Sequence, residues 1–270
     1  MSSPVTRSRD SGSRDRSSYF GGKGGAGTYQ RLINEIPPHD TLLIPFAGHC
    51  AITRHMRSPR TVLLFDLDSD VCDWWNRHLE VTPPNPGTQY SVTRACGIGV
   101  LRELLAAADT IPGVCGRLFV YLDPPYPRET LKSEPRYRCN METSDHKAIL
   151  KLIRDVPPSV AHIMISSYPN DMYQYALGAF RTFRFRVRTR RGMATEQVWC
   201  NYDPPDQLHD YQYHGIGKRE RFKLLRRREN MVAKLRRLPA RERNDLIAAV
   251  VSEFGVPAAT LNSVDMAVDS

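Results

Sequence analysis

The chain has 270 residues and a mass of 30.7 kDa, with 41% hydrophobic and 25% charged residues; this is ordinary globular usage, with room for one large domain or two modest ones and a core that needs no disulfide staples. Lys and Arg outnumber Asp and Glu by 38 to 29, a net charge of +9, and the excess is local, because 218–243 holds 12 basic and 3 acidic residues. Collagen-like, coiled-coil and wholly disordered classes are excluded, and there is no run of 18 apolar residues to span a membrane.

Residues 1–18 are Ser, Arg and Asp with little to bury, and they are expected to form a disordered basic tail. Order is expected from Tyr19. Gly21, Gly22, Lys23, Gly24, Gly25 and Gly27 make a turn-rich segment. Tyr29, Leu32, Ile33 and Ile36 then share one side of a short helix that Pro37 and Pro38 end. Thr41 to Ile44 reads as a core strand running into Pro45-Phe46-Ala47-Gly48, with a helix after it. Thr61 to Phe65 is a second apolar strand, stopping at Asp66-Leu67-Asp68, and Asp70 to Leu79 reads as a helix. After a loop at 83–87, Tyr90 to Arg94 is a short strand and Gly99 to Ala108 a helix. Arg117 to Leu122 is a strand ending at Asp123-Pro124-Pro125-Tyr126. A polar stretch leads to a helix from Asp145 to Ile153, a strand from Ala161 to Ser166 and a helix from Met172 to Leu177. Phe180 to Arg188 alternates apolar residues with arginine, as a half-exposed strand does, and Glu196 to Asn201 is its expected hairpin partner.

Strands alternating with helices predict a mostly parallel sheet covered on both faces, with the last pair as a terminal hairpin. The catalytic domain is expected over 19–203. A basic helical appendage is expected over 204–254, packed on the sheet in preference to standing as a separate unit, for which it is short, and a flexible tail is expected over 255–270. Ligands of such sheets sit at the carboxyl ends of strands. The polar clusters after Ile44, at Asp66 and at Asp123 to Tyr126 all fall there.

Asp123-Pro124-Pro125-Tyr126 places a carboxylate at a strand end, followed by two prolines that offer no N–H. Asp123 and the Pro124 carbonyl can accept hydrogens from a planar group's amine while Tyr126 stacks on its ring. Gly48 permits close approach of a ligand, and an acid such as Asp66 commonly grips two ribose hydroxyls, with Asp68 the local competitor for that role and a helix cap the plainer reading of it. The six cysteines, at 50, 72, 96, 115, 139 and 200, lie at least 19 residues apart, so there is neither a CxxC zinc pair nor a dense disulfide pattern; reduced thiols in a cytoplasm fit best, and no metal site is expected. Nor is a secretory signal expected. His49, His146, His162, His209 and His214 read as local or structural, Asp145 as a helix cap, and Trp74 and Trp75 as packing between helix and sheet. The basic run, with Arg226, Arg227 and Arg228 at its centre, suggests a polyanion partner, and Arg181, Arg184, Arg186, Arg188, Arg190 and Arg191 form a second candidate surface.

Tyr19-Phe20-Gly21-Gly22-Lys23, Ile44-Pro45-Phe46-Ala47-Gly48, Asp66-Leu67-Asp68 and Asp123-Pro124-Pro125-Tyr126, in that order, resemble the D12-class (Dam-like) DNA adenine N6-methyltransferases of compact phage and plasmid type. Tyr137, the Asp145-His146 pair and Ser166-Ser167-Tyr168 also resemble that family. The resemblance implies a Rossmann-like α/β fold and S-adenosylmethionine as cofactor. Gly21, Gly22, Lys23, Phe46, Ala47 and Gly48 would border the cofactor, and Asp66 would hold its ribose. Asp123, Pro124 and Tyr126 would hold a flipped adenine for direct in-line transfer. Double-stranded DNA is the implied partner, bound along its phosphates by Arg226, Arg227 and Arg228, and the protein is expected to be a monomer, at most weakly dimeric. Three positions depart from the pattern. Ile44 stands where an acid is usual, Cys50 follows His49 where small residues are usual, and Ile98 stands where an acid is expected near the cofactor adenine. Cytosine N4 or RNA as the acceptor, and an inactive DNA-binding relative, remain open. With only 26 residues between Cys96 and Asp123, short or relaxed target recognition is expected.

Overall fold

The structure, a computed structural model, describes residues 23–25, 27–82, 87–107, 117–131, 139–189 and 192–256. Its strands are β1 (Thr41–Ile44), β2 (Thr61–Asp66), β3 (Gln89–Arg94), β4 (Leu118–Leu122), β5 (His162–Ser167), β6 (Arg181–Thr189) and β7 (Gly192–Cys200). They form one sheet in the order β3-β2-β1-β4-β5-β7-β6. β1 to β5 are mutually parallel, and β7 slots antiparallel between β5 and β6. The expected terminal hairpin is therefore present, with its second strand on the inside.

The helices are α1 (Thr28–Ile33), α2 (Ala51–His55), α3 (Ser69–Val81), α4 (Gly97–Ala106), α5 (Thr143–Ile153), α6 (Asp171–Ala176), α7 (Lys218–Arg236) and α8 (Ala240–Phe254). Two apolar clusters, one on each face of the sheet, follow from the two-residue period of a strand. Leu42, Ile44, Phe119 and Tyr121 join the cluster under α1 to α3, while Leu43, Leu118, Val120 and Leu122 join the one under α4 to α6. All residues of β1 and β4 are buried, as in a central parallel strand covered on both faces. This is the Rossmann-like α/β fold expected above.

The C-terminal region divides. Leu208, His209 and Asp210 are buried. The Arg57 N–H donates to Asp210 Oδ2 at 2.8 Å, the Arg57 guanidinium to the His209 carbonyl at 2.7 Å, and the His209 N–H to the Ile36 carbonyl at 2.9 Å. The His39 and His209 rings lie 3.9 Å apart; burial pushes His39 down to about 4 and His209 further still. This segment docks beside α1 and α2, yet α7 and α8 contain no buried residue. The expected packing of the appendage on the sheet is thus corrected for both helices. Charges spread around α7 leave no apolar face wide enough to bury.

Among the described residues no helix is long and apolar enough to cross a membrane. Nor do they contain a group of three or more His, Cys, Asp or Glu residues placed to hold a metal ion.

Candidate active site

The sheet order reverses direction at β1, whose neighbours are β2 and β4. The carboxyl ends of strands at such a point diverge into a crevice. Pro45 to Gly48 therefore comes to lie beside Asp123 to Tyr126, although most of a domain separates them in sequence. Between them is a cavity of about 280 Å³ lined by Lys23, Phe46, Ala47, Gly48, Asp66, Ile98, Asp123 and Pro125, among others.

One side of the cavity is built around Asp66, the last residue of β2. Its Oδ2 accepts from the Gly48 N–H at 2.8 Å and its Oδ1 from the Asp68 N–H at 2.9 Å. Gly48 has φ 44°, the left-handed region that glycine tolerates best. Its carbonyl accepts from the indole N–H of Trp75 at 2.7 Å. Asp68 caps α3 by accepting from the Asp70 N–H, so the helix-cap reading holds for Asp68. Phe46 is clamped by Gly97 at the start of α4. A Cβ there would sit 2.3 Å from the Pro45 carbonyl oxygen and 2.7 Å from the Phe46 ring.

The other side holds the second carboxylate. Asp123 Oδ1 lies 3.1 Å from Lys23 Nζ and accepts from the Ser166 hydroxyl at 3.1 Å, which in turn meets the Tyr121 hydroxyl at 3.2 Å. Lys23 Nζ also donates to Glu196 Oε1 and to the Tyr126 hydroxyl, and that hydroxyl donates to Glu196. The Lys23, Asp123 and Glu196 side chains are only 10%, 16% and 3% exposed, so these charges meet largely without water. Burial pushes the Asp123 carboxyl up and Lys23 pulls it down, while the charge of Glu196 adds to the rise; the result is about 6. For Lys23, burial opposes the charge, but Asp123 and Glu196 outweigh it and raise the ammonium well above its usual value. Tyr168 packs edge-on against Tyr126 at 4.8 Å, which fixes the plane of that ring.

Of the expected cofactor-side residues, Phe46, Ala47, Gly48 and Asp66 line the cavity, as do Asp123 and Pro125 of the second motif. Gly21 and Gly22 lie outside the described residues, as do Tyr19, Phe20, Tyr137, Arg190 and Arg191. Lys23 borders the cavity, but its ammonium is at the Asp123 end. The Pro124 side is buried. Of the three departures, Ile44 is sealed in the core and Cys50 is buried, while Ile98 faces the cavity. His49 stacks on Trp74 at 3.9 Å, and burial, ahead of the nearby Arg54, pushes it down to about 4. Asp145 accepts from the Glu142 N–H in a capping box and also borders the cavity. His146 is buried, 2.9 Å from the Tyr173 hydroxyl.

Arg226, Arg227 and Arg228 are all exposed on α7. On β6, Arg184, Arg186 and Arg188 are exposed. Arg181 is not part of that surface, because it pairs with Glu35 at 2.9 Å and donates to the Tyr202 carbonyl.

Sequence reasoning missed Glu196 and the contact of Ser166 with Asp123. A signal for Glu196 existed, since it is the acid that heads the run Glu196-Gln197-Val198-Trp199-Cys200. The pattern legible in sequence is a polar residue at the carboxyl end of a parallel strand. β7 runs the other way, with Ser166 opposite Val198 and Ser167 opposite Gln197, so its earlier half reaches the same edge of the sheet.

No family model matches the chain, and no curated protein matches it by sequence. Among solved structures, it is similar to precorrin 8w decarboxylase from Methanobacterium thermoautotrophicum, with 11% identity, 64% of this chain and 86% of that one covered, and a TM-score of 0.40. An S-adenosylmethionine-dependent methyltransferase from Agrobacterium tumefaciens gives 9% identity, 64% and 60% coverage and a TM-score of 0.40. The 23S rRNA methyltransferase ErmE gives 13%, 66% and 69%, and 0.40. Scores this low carry no weight for chemistry, which rests on the geometry of the cavity itself.

Proposed function

We propose that this protein is a DNA methyltransferase that moves a methyl group from S-adenosylmethionine to N6 of adenine in double-stranded DNA. The observation that carries the reading is one cavity with a carboxylate at a strand end on each side, Asp66 closing β2 and Asp123 directly after β4. The residues fit the cofactor's parts. The Asp66 carboxylate is oriented by the Gly48 and Asp68 N–H groups and retains acceptor capacity for a ribose hydroxyl. Phe46, held over Gly97, and Ile98 offer apolar surface to a flat ring. The anionic Asp123 end suits a sulfonium. Bound there, S-adenosylmethionine supplies an electrophilic methyl, whose passage to N6 breaks a carbon–sulfur bond, forms a carbon–nitrogen bond and leaves one proton to be shed to water.

The chain's own residues would do the rest. Asp123 accepts one N6 hydrogen, and the Pro124 carbonyl, in a stretch without N–H donors, accepts the other. Both draw the amine away from conjugation with its ring. Asp123 also stabilises positive charge developing on nitrogen, in a site where little water screens it. Tyr126, fixed by Glu196 and Tyr168, supports the ring. Asp123 is too enclosed to meet a stacked base, so the target must leave the helix first. Arg226, Arg227 and Arg228 on α7 would lie along phosphates and position the duplex without reading its bases.

The test is transfer of labelled methyl from S-adenosylmethionine to unmethylated DNA, with nucleoside digestion of the product. N6-methyladenine is the expected label. N4-methylcytosine, or label only in RNA, would replace the acceptor, and DNA binding with neither cofactor binding nor transfer would mark an inactive relative.

A further inference from the structure

We infer that Lys23 reads the target base: its ammonium donates to the ring nitrogen next to the reacting amine while Asp123 accepts from the amine itself. The inference deepens the proposed reaction and rests on it. It starts from hydrogen-bond accounting. A buried ammonium has three donors to satisfy, and Lys23 directs them at Asp123, Glu196 and Tyr126. An amine arriving at Asp123 competes for the carboxylate oxygen that Lys23 now holds at 3.1 Å. Asp123 gains a new partner, and one Lys23 donor is released beside it.

Glu196 keeps the lysine from leaving. It is 2% exposed on β7, an internal strand paired on both sides, and Tyr126 donates to it as well. The released donor therefore stays within hydrogen-bond distance of Asp123. Together they present an acceptor and a donor side by side, the complement of an edge with an amine next to a lone-pair nitrogen. Adenine has that edge in N6 and N1, and cytosine in N4 and N3. Guanine does not present it on its Watson–Crick edge, where the N2 amine adjoins N1–H, which would meet the ammonium donor to donor. Donation to N1 also withdraws density from N6, so its benefit falls on binding and discrimination, not on the speed of transfer.

The experiment compares duplexes carrying adenine or 1-deazaadenine at the methylated position, with the unaltered protein and with Lys23→Met. Deaza substitution replaces the N1 lone pair with a C–H, and the weaker pairing with thymine that follows is common to all three proteins. With the unaltered protein it should raise KM roughly tenfold or more, with a much smaller change in kcat, as expected for a lost hydrogen bond to a charged group. With Lys23→Met the two duplexes should differ less than about threefold, since the partner is already gone. Glu196→Gln, which keeps the shape of the strand residue but loosens the lysine, should give an intermediate ratio and covers the case in which Lys23→Met folds poorly. Equal deaza penalties in all three proteins would overturn the inference. So would a Lys23→Met protein that keeps the full deaza penalty and instead loses affinity for S-adenosylmethionine in calorimetry, which would assign Lys23 to the cofactor. No methyl transfer to ordinary adenine by the unaltered protein would overturn the proposed reaction and this inference with it, a result distinct from transfer that ignores N1.

Discussion

Two regions of this protein concentrate charge, and they use it in opposite ways. At the carboxyl edge of the sheet, Lys23, Asp123 and Glu196 are almost closed off from water and bonded to one another. On α7, Arg226, Arg227 and Arg228 are exposed, and no residue of the helix is buried. In the first region each charge has a set place, because a misplaced charge in a dry site leaves a partner unsatisfied at high cost. In the second, water screens each charge, and only the summed field is exact enough to matter. The first arrangement suits chemistry on one atom, the second a long, repeating polyanion.

The contrast makes the two regions fail differently. Asp123→Ala should lower methyl transfer by roughly 10²–10³-fold, the scale for losing one electrostatic group at a reacting centre. Circular dichroism should show the fold intact, and DNA affinity measured by anisotropy should change little. Transfer at near-normal rate by a folded variant would remove Asp123 from the reaction. Asp66→Ala should weaken S-adenosylmethionine binding by roughly tenfold to a hundredfold in calorimetry, as hydrogen bonds to a charged group are lost. It also deprives the Gly48 turn of its acceptor.

A pH profile comes next in size. Only ionised Asp123 carries the negative charge that stabilises the cation developing on the amine, and its carboxyl is pushed up to about 6. The rate should therefore be flat above that pH and fall about tenfold per unit below it. Lys23 is the chief influence pulling that value down, so Lys23→Met should move the inflection upward. A profile unchanged by the substitution would separate Lys23 from Asp123 in solution. The smallest effects belong to α7. Neutralising Arg226, Arg227 and Arg228 together should weaken DNA binding uniformly across sequences and reduce the slope of log K against log salt by about 0.9 for each lost phosphate contact. An unchanged slope would move the DNA surface elsewhere, with Arg184, Arg186 and Arg188 on β6 the next set to neutralise.

The elements were legible for local reasons. β1 coincides with the apolar run Thr41 to Ile44, and β2 with the run Thr61 to Phe65 and the aspartate that stops it. In both, period and punctuation speak within a few residues. Asp66 and Asp123 were legible because each ends an apolar run in a strand whose direction was inferred correctly. Glu196 was not, since its meaning depends on β7 running antiparallel inside the sheet. The fate of the appendage was equally hidden. Leu208 to Asp210 and the helices after them look like one basic unit in sequence, but only the former meets α1 and α2.

What the amino-acid order determined by itself was the alternation of strands and helices, the strand ends that carry Asp66 and Asp123, and the concentration of basic residues in 218–243. Those follow from spacing, burial preference and charge, which act between near neighbours. What only the tertiary structure decided was the meeting of Lys23, Asp123, Tyr126 and Glu196. They come from three distant stretches, and no local pattern relates Lys23, the Asp123-to-Tyr126 motif and Glu196. They meet because the reversal of strand order beside β1 opens a crevice and the antiparallel β7 delivers an acid to the same edge.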